Sequence, residues 1–152
     1  MASPAVLVIG YGNPAREDDG LGPLVAGRIA ALGLPGVLVD SDYQPAVEDA
    51  AAVAEHEEVV FVDASVDCRA PFSWAPVAPE SIDAFSSHAL TPARVVGLAR
   101  ELFGARARAW VLGVRGYSFR MFREGATARG KRNARRAVRF LKRKLAAERG
   151  RP

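Results

Sequence analysis

The sequence contains few of the residues on which several common kinds of site depend. Its 152 residues include one cysteine, Cys68, and two histidines, His56 and His88. A single cysteine excludes an internal disulfide framework and any cysteine-rich zinc site, and it suits a reducing cytoplasm. No apolar run approaches the roughly 20 residues that cross a bilayer, and no basic region precedes the first apolar run. We therefore expect a cytoplasmic protein with no membrane span and no signal peptide.

The charge of the chain is unevenly distributed. Residues 129–152 contain eleven lysines and arginines and one acidic residue, Glu148, which is a net charge of +10. Because the whole chain has a formal net charge of +4, residues 1–128 carry −6. The hydrophobic share of 49% and the charged share of 25% are typical of a globular protein, and the length suits one domain with a substantial core.

Predicted strands alternate with predicted helices along the chain. Continuous β-branched runs at 5–10 and 58–65 indicate strands that are buried on both faces. Thr91 followed by Pro92 predicts the start of a helix, and Gly22-Pro23 predicts an earlier one. Further strands are expected at 36–40, 72–77 and 107–116, with helices at 46–55 and about 126–148. This alternation predicts one α/β domain over residues 1–152, of the phosphorylase/hydrolase-like kind, with a largely parallel sheet flanked by helices on both faces.

Side chains that could bind a ligand or take part in catalysis lie at the ends of three of these predicted elements. The segment "GYGNPAREDDGLGP" contains Asp18 and Asp19 just after the first strand, Asp63 lies near the end of the third strand, and His88 precedes the Thr91 helix. Ligands of such sheets bind outside the carboxyl ends of the strands, so these side chains are expected to converge. Two carboxylates and one imidazole suit zinc, nickel or manganese. Each residue alone has an ordinary structural interpretation; together they favour a metal site.

The glycines of the same segment permit a second interpretation. Gly10 and Gly12 could begin the GxGxxG motif of dinucleotide-binding proteins, but Ala15 occupies the third position. The consecutive acids would also repel a pyrophosphate. We therefore interpret both glycines as parts of a tight turn that needs unusual backbone angles.

Four segments resemble one known family. "GYGNPAREDDGLGP" is similar to the opening motif of the hydrogenase maturation endopeptidases, and "YQPAVEDAAAVAEHEEVVFVDAS" to their middle segment, in which a strand ends at an aspartate. "SHALTPARVVGLARELFG" resembles their histidine segment, and "AWVLGVRGYSF" their last strand. The matches occur in the order and spacing of the family and reach to about Phe119.

The resemblance implies an activity and a partner. These enzymes remove a C-terminal extension from the large-subunit precursor of a nickel-iron hydrogenase after nickel has been loaded. By position, Asp19, Asp63 and His88 would hold the metal, which is the nickel of the substrate or another divalent ion. We assign catalysis to Asp19 and Asp18, the latter as a residue that orients a ligand or accepts a proton. The partner is then the nickel-loaded precursor.

Substrate contacts are predicted around the first two strands. Asn13 could form a hydrogen bond across the site, or could merely shape the turn before Pro14. Many relatives have Gly-Gly after the second strand, where this chain has a loop ending in Asp42 and Tyr43, and we expect that loop to contact substrate. Arg120 stands where the family often has an acidic residue.

Two other functions stay open from the sequence. "GYGNP" also resembles the start of peptidyl-tRNA hydrolases, esterases that need no metal, although only acids stand where their catalytic histidine would lie. A non-catalytic metal-sensing or scaffold protein of the same fold is the other alternative. His56 is expected to be exposed among acids, without a role in the site.

The basic C-terminal helix has an apolar stripe that is expected to dock on the sheet, formed by Ala134, Val138, Leu141 and Leu145. The basic remainder of that helix is interpreted first as a solvated face. An acidic partner protein is the next candidate, and nucleic acid is the least favoured partner.

The predicted metal site can be tested by calorimetric titration of the intact protein with nickel and with zinc. Binding should be lost in Asp19→Ala, Asp63→Ala and His88→Ala, because each substitution removes one of three ligands. Unchanged binding in all three variants would show that these residues do not form a common metal site.

Overall fold

The computed structural model describes residues 5–81 and 90–149, with the side chains of residues 148 and 149 excepted. A five-stranded sheet carries four α-helices, and a 3-10 turn, Glu17–Gly20, follows the first strand. In chain order the elements are β1 (Val6–Tyr11), α1 (Leu21–Ala31), β2 (Val37–Asp42), α2 (Glu48–Ala54), β3 (Glu58–Ser65), β4 (Phe72–Pro76), α3 (Pro92–Phe103), β5 (Arg108–Arg115) and α4 (Ala128–Arg149).

The strands lie in the order β2-β1-β3-β5-β4. The four strands β2, β1, β3 and β5 are mutually parallel. Strand β4 pairs with β5 in the antiparallel direction at the edge of the sheet. The predicted α/β fold with a largely parallel sheet is therefore confirmed. Because the four parallel strands end at one edge of the sheet, the loops that follow β1, β2, β3 and β5 lie together there.

Helices cover both faces of the sheet. Successive side chains of a strand point to opposite faces, so β1 and β3 each contribute to two cores. Val8 and Val60 pack in the core beneath α1 and α4, while Ile9 and Phe61 pack in the core beneath α2 and α3. Within residues 5–81 and 90–149, no helix is both long enough and apolar enough to span a membrane.

The apolar stripe predicted for α4 is confirmed. Ala134, Leu141 and Leu145 are buried in the core that α4 shares with α1, and Val138 packs against that core while remaining partly exposed. The helix begins at Ala128, two residues later than predicted, because Thr127 caps it: the Thr127 hydroxyl accepts a hydrogen bond from the Gly130 amide at 3.0 Å.

The second strand is longer than the sequence predicts. The sequence places its end at residue 40, but β2 continues to Asp42, which is opposite Tyr11 in the parallel ladder. The backbone hydrogen bonds to β1 hold this polar segment in the sheet, although its side chains are mostly exposed. Asp42 is therefore a strand residue, and only Tyr43 lies in the loop as expected.

The prediction that His56 is exposed was wrong. Its relative exposure is 8%, and its Nδ1 lies 2.7 Å from the carbonyl oxygen of Ala52. The reason is tertiary: the turn after α2 is held against the start of β1, since the amides of Glu57 and Glu58 both donate to the carbonyl of Ala5. This position is at the amino ends of the strands, away from the edge where ligands bind.

The two glycines of the first motif serve different purposes. Gly12 has a φ of +142°, and it alone forms the predicted tight turn with unusual backbone angles. Gly10 lies within β1, where α1 crosses so closely that a Cβ at Gly10 would be 2.6 Å from the carbonyl oxygen of Gly22. Gly10 therefore permits close packing of the helix on the strand.

This close approach predicts a contrast between two glycine substitutions. Gly10→Ala should lower the free energy of unfolding by about 2 kcal/mol, because the methyl group overpacks the contact with Gly22. Gly27→Ala, on the exposed side of α1 with no atom near the added methyl, should raise it by about 0.5–1 kcal/mol. Urea denaturation measures both values, and a Gly10→Ala variant as stable as the parent would contradict the packing argument.

Candidate functional site

The turn between β1 and α1 orients Asp19. The Asn13 amide donates to Asp19 Oδ2 at 2.8 Å, and the Asn13 side-chain oxygen accepts from the Ala15 amide at 2.9 Å. Of the two roles considered for Asn13, its side chain shapes the turn, and its main chain holds the carboxylate of Asp19. Contact between Asn13 and a substrate stays a prediction.

Asp18 is fully buried, with a relative exposure of 0%. Its Oδ2 accepts hydrogen bonds from the Tyr117 amide at 2.7 Å, the Ser118 amide at 3.3 Å and the Thr127 hydroxyl at 2.8 Å. Its Oδ1 accepts from the Thr127 amide at 2.7 Å. Protein donors thus occupy both oxygens, so the Asp18 carboxylate anchors the turn, and its predicted catalytic role stays a prediction.

The charge of Asp19 acts on the carboxyl of Asp63. Asp63 lies in β3 near its carboxyl end, and β3 contacts the 3-10 turn that carries Asp19. Burial raises the pKa of the Asp63 carboxyl to about 6, the hydrogen bond from the Ala64 amide opposes this rise, and the negative charge of Asp19 adds to it. The structure therefore brings together two of the three predicted metal ligands.

The two carboxylates offer oxygen atoms of the kind that divalent cations bind. In each, one oxygen accepts from a main-chain amide, Asn13 for Asp19 and Ala64 for Asp63. Two half-buried carboxylates repel each other when both are ionised, and a bound cation would offset that repulsion. His88, the predicted third ligand, lies outside the described residues. Among the residues that are described, no group of three or more histidine, cysteine, aspartate or glutamate side chains could hold a metal.

Two of the cavities near the acidic turn, as we call residues 12–20, lie at this edge of the sheet. The larger, about 670 Å³, extends from Asp63 past Ser65 and Ser73 to Thr91 at the start of α3. The smaller, about 230 Å³, lies over the ends of β1 and β2 and is lined by Gly12, Asp42 and Tyr43 among others. The predicted substrate residues Asp42 and Tyr43 thus border the site, and their contact with substrate stays a prediction.

Sequence reasoning missed the residues that hold the acidic turn in place. Glu17 is buried and pairs with Arg120 through a 3.0 Å contact from Nε to Oε1. Hydrogen bonding by Ser118, together with Arg120, holds the pKa of the Glu17 carboxyl below its ordinary value. Arg120, which departs from the family pattern, therefore has a structural partner. No local signal in the sequence could reveal a pair of residues so distant along the chain.

The segment between β5 and α4 forms several hydrogen bonds with the acidic turn. The Arg123 amide donates to the Ala15 carbonyl, the Glu17 amide donates to the Arg123 carbonyl, and Arg16 Nε donates to the Phe119 carbonyl, all within 2.8–2.9 Å. These contacts add to those of Asp18 and Glu17. The turn that presents Asp19 is thus held from two directions, by β1 and by the segment before α4.

Solved structures share this fold, although no protein-family profile and no curated protein matches the sequence. The [NiFe] hydrogenase maturation protease HycI from Thermococcus kodakarensis has 25% identity and a TM-score of 0.71, with 93% of this chain and 92% of that chain covered. The hydrogenase maturating endopeptidase HybD from E. coli has 20% identity and a TM-score of 0.66, with 95% and 92% covered. A hydrogenase 2 maturation peptidase from a Thaumarchaeota archaeon has 19% identity and a TM-score of 0.68, with 93% and 98% covered. These structures share the fold of this chain and support the family and the hydrolase class suspected from the motifs.

The environment of Asp63 predicts a measurable pH dependence. Between its ordinary pKa of 3.8 and the folded value of about 6, the folded state binds a proton that the unfolded state does not. Stability should therefore fall as the pH rises from about 4 to 6, by at most about 3 kcal/mol, and Asp63→Asn should abolish that slope.

Carboxyl carbon NMR titration checks the value directly. In Asp19→Asn the pKa of Asp63 should decrease yet stay above 3.8, because burial is the larger cause of the shift. A parent protein in which Asp63 titrates near 3.8 would refute the proposed desolvation.

Proposed function

We propose that this protein, which has the fold of the [NiFe] hydrogenase maturation proteases, is an endopeptidase that removes the C-terminal extension of a nickel-iron hydrogenase large-subunit precursor. The observation that carries the proposal is the placement of Asp19 and Asp63 at the carboxyl edge of the sheet, where β3 contacts the turn that bears Asp19. The single cysteine supports a reducing cytoplasm as the place of work.

The substrate's own nickel is the proposed ligand of this pair. Asp19 and Asp63 would each offer a carboxylate oxygen to the loaded precursor, and His88 would supply the third ligand. A divalent metal bound there would polarise a carbonyl group or lower the pKa of a bound water. In this proposal the carboxylates recognise whether nickel insertion is complete, because an unloaded precursor would bring no cation to offset their repulsion.

Within residues 5–81 and 90–149, no serine or cysteine is paired with a histidine base. The Cys68 thiol lies 3.6 Å from the carbonyl oxygen of Gly113, and His56 is buried at the opposite end of the sheet. Asp63 is better suited to proton transfer, since a pKa of about 6 allows its carboxyl to hold or release a proton near neutral pH. We propose that the Asp63 carboxyl holds this proton until the nickel of the precursor arrives, when it releases the proton and its oxygen that does not accept from Ala64 becomes a metal ligand.

The other two functions receive less support. A peptidyl-tRNA hydrolase would need a catalytic histidine beside the first turn. His56 is buried and therefore cannot act as that catalytic histidine. A metal-sensing or scaffold protein of this fold would bind the loaded precursor without shortening it. Cleavage itself therefore separates the proposed function from the scaffold alternative.

The decisive experiment incubates the protein with a nickel-loaded large-subunit precursor from the same organism and measures the product by mass spectrometry. A shortened precursor is expected, and the same precursor without nickel should remain intact. Asp19→Asn and Asp63→Asn should lower kcat/KM by about 100-fold or more, because each removes a charged group that acts on the reacting centre.

Glu55→Gln is the matched control, since it removes an exposed carboxylate after α2, at the opposite end of the sheet, and should leave cleavage unchanged. Failure of the parent to shorten a loaded precursor would overturn the endopeptidase proposal. Equal cleavage by the parent and both site variants would overturn the assignment of the site.

A further inference from the structure

The outward side of α4 is a continuous cationic surface, which we call the basic face. All of its members are exposed, and no acidic residue occurs between Ala128 and Ala147. A 22-residue helix is about 33 Å long, so the surface is extended. The basic face consists of Arg129, Lys131, Arg132, Arg135, Arg136, Arg139, Lys142, Arg143 and Lys144.

The basic face has an arrangement that costs helix stability. Lys131, Arg135, Arg139 and Arg143 follow one another at intervals of four residues, and like charges at this spacing destabilise a helix by about 0.2–0.5 kcal/mol per pair. Across residues 5–81 and 90–149, the ion pairs of the structure involve none of the nine cations. If this face only contacted solvent, glutamates placed four residues from the cations would stabilise the helix. No glutamate or aspartate stands between Ala128 and Ala147, which favours an anionic partner outside the chain.

The basic face begins at the candidate site. Thr127, which caps α4, binds the buried Asp18, and Lys131 shares a cavity of about 330 Å³ with Glu17 and Pro14 of the acidic turn. From there the helix runs away from the edge that carries Asp19. A protein whose tail reached Asp19 and Asp63 could therefore extend along α4.

The surroundings of the basic face favour a protein over the other polyanions. The apolar stripe of α4 is already docked on the sheet, so the helix cannot insert it into a bilayer. Single-stranded nucleic acids bind best where exposed aromatic rings can stack on bases. The aromatic rings beside the basic face are already engaged. Phe140 and Trp74 lie 5.2 Å apart, and Trp74 stacks on Trp110. The Tyr117 ring is covered by Arg129, whose Cζ lies 3.9 Å from the ring centroid.

We propose that the basic face is a docking surface for an acidic patch on the protein substrate. This inference rests on the proposed function, because it identifies how the precursor is held beside Asp19 and Asp63. The remainder of the chain is acidic, so electrostatic attraction would direct such a substrate to α4 and away from the other surfaces. The basic face thus acts on association with the substrate and not on the chemical step.

The test compares two double variants in the precursor assay. Arg135→Gln with Arg139→Gln removes two adjacent charges of the basic face, and glutamine preserves helix propensity. Arg100→Gln with Arg106→Gln is the matched control, because it removes the same charge from exposed positions on and after α3, across the sheet. The first pair should raise KM about fivefold at 0.1 M salt, with kcat unchanged and thermal stability slightly raised, because like-charge repulsion within α4 is removed. The control pair should leave KM unchanged.

Salt dependence supplies a second readout. The difference between the basic-face variant and the parent should shrink to less than twofold at 1 M salt, because the screening length decreases from about 10 Å to about 3 Å. Equal KM values for the parent and the basic-face variant at 0.1 M salt would overturn the inference. So would equal losses in both double variants, which would indicate a general effect of net charge.

A binding measurement separates this inference from the proposed function. Fluorescence anisotropy of labelled, nickel-loaded precursor reports association whether or not cleavage follows. Weaker binding by the basic-face variant, without cleavage by the parent, would support the docking surface and refute the endopeptidase. Cleavage by the parent, with equal binding by both proteins, would refute the docking surface alone. Tight binding of a 20-base-pair DNA duplex that depends on Arg135 and Arg139, with precursor binding unaffected, would assign the basic face to nucleic acid and overturn the proposal.

Discussion

The buried carboxylate of Asp18 is the interaction on which the rest of the site depends. It joins the acidic turn after β1 to the amides of Tyr117 and Ser118 and to both donors of Thr127. Thr127 in turn caps α4 through the Gly130 amide. A carboxylate removed from water is costly unless several donors surround it, and here four do. One side chain therefore fixes the position of Asp19 and the start of the longest helix together.

A division of labour among three consecutive acids follows from this arrangement. Glu17 pairs with Arg120 and Asp18 is enclosed, so both serve to hold the turn. Asp19 is the member whose charge adds to the effect of burial in raising the pKa of Asp63. The energetic cost of placing two carboxylates close together in a partly desolvated crevice is the physical reason to expect a cation there. Because hydrogen bonds and the Glu17–Arg120 pair hold the turn in place, Asp19 cannot simply move away from Asp63 to reduce the repulsion.

The basic face and the acidic turn carry opposite charges on neighbouring elements, and they differ in exposure to solvent. The turn concentrates negative charge where few water molecules can reach it, whereas α4 exposes positive charge along its whole outward side. The first arrangement favours a small cation at a defined point. The second favours a large acidic partner over an extended surface. A metal-loaded acidic protein would satisfy both, which is how the proposed function and the docking surface are connected.

Much of the fold was accessible from the sequence because it depends on local patterns. The β-branched runs of β1 and β3, the Thr91-Pro92 helix start and the apolar stripe of α4 each express a preference of a few neighbouring residues, and the structure contains all of them. The same patterns placed Asp19 and Asp63 at the ends of strands. Since parallel strands end at a common edge, their meeting follows from topology alone.

Other features required the complete tertiary structure. The sequence by itself determined the class of fold, the edge of the sheet that carries the site, and the resemblance to a protease family. Only the tertiary structure decided that Asp18 is enclosed, that Glu17 pairs with Arg120, that Gly10 serves packing and that His56 is buried. Each of these depends on a partner that is distant along the chain or on a backbone that passes close by. Residue type and spacing indicate which interactions a side chain can form. Which of them it forms depends on the residues that pack against it in the folded chain.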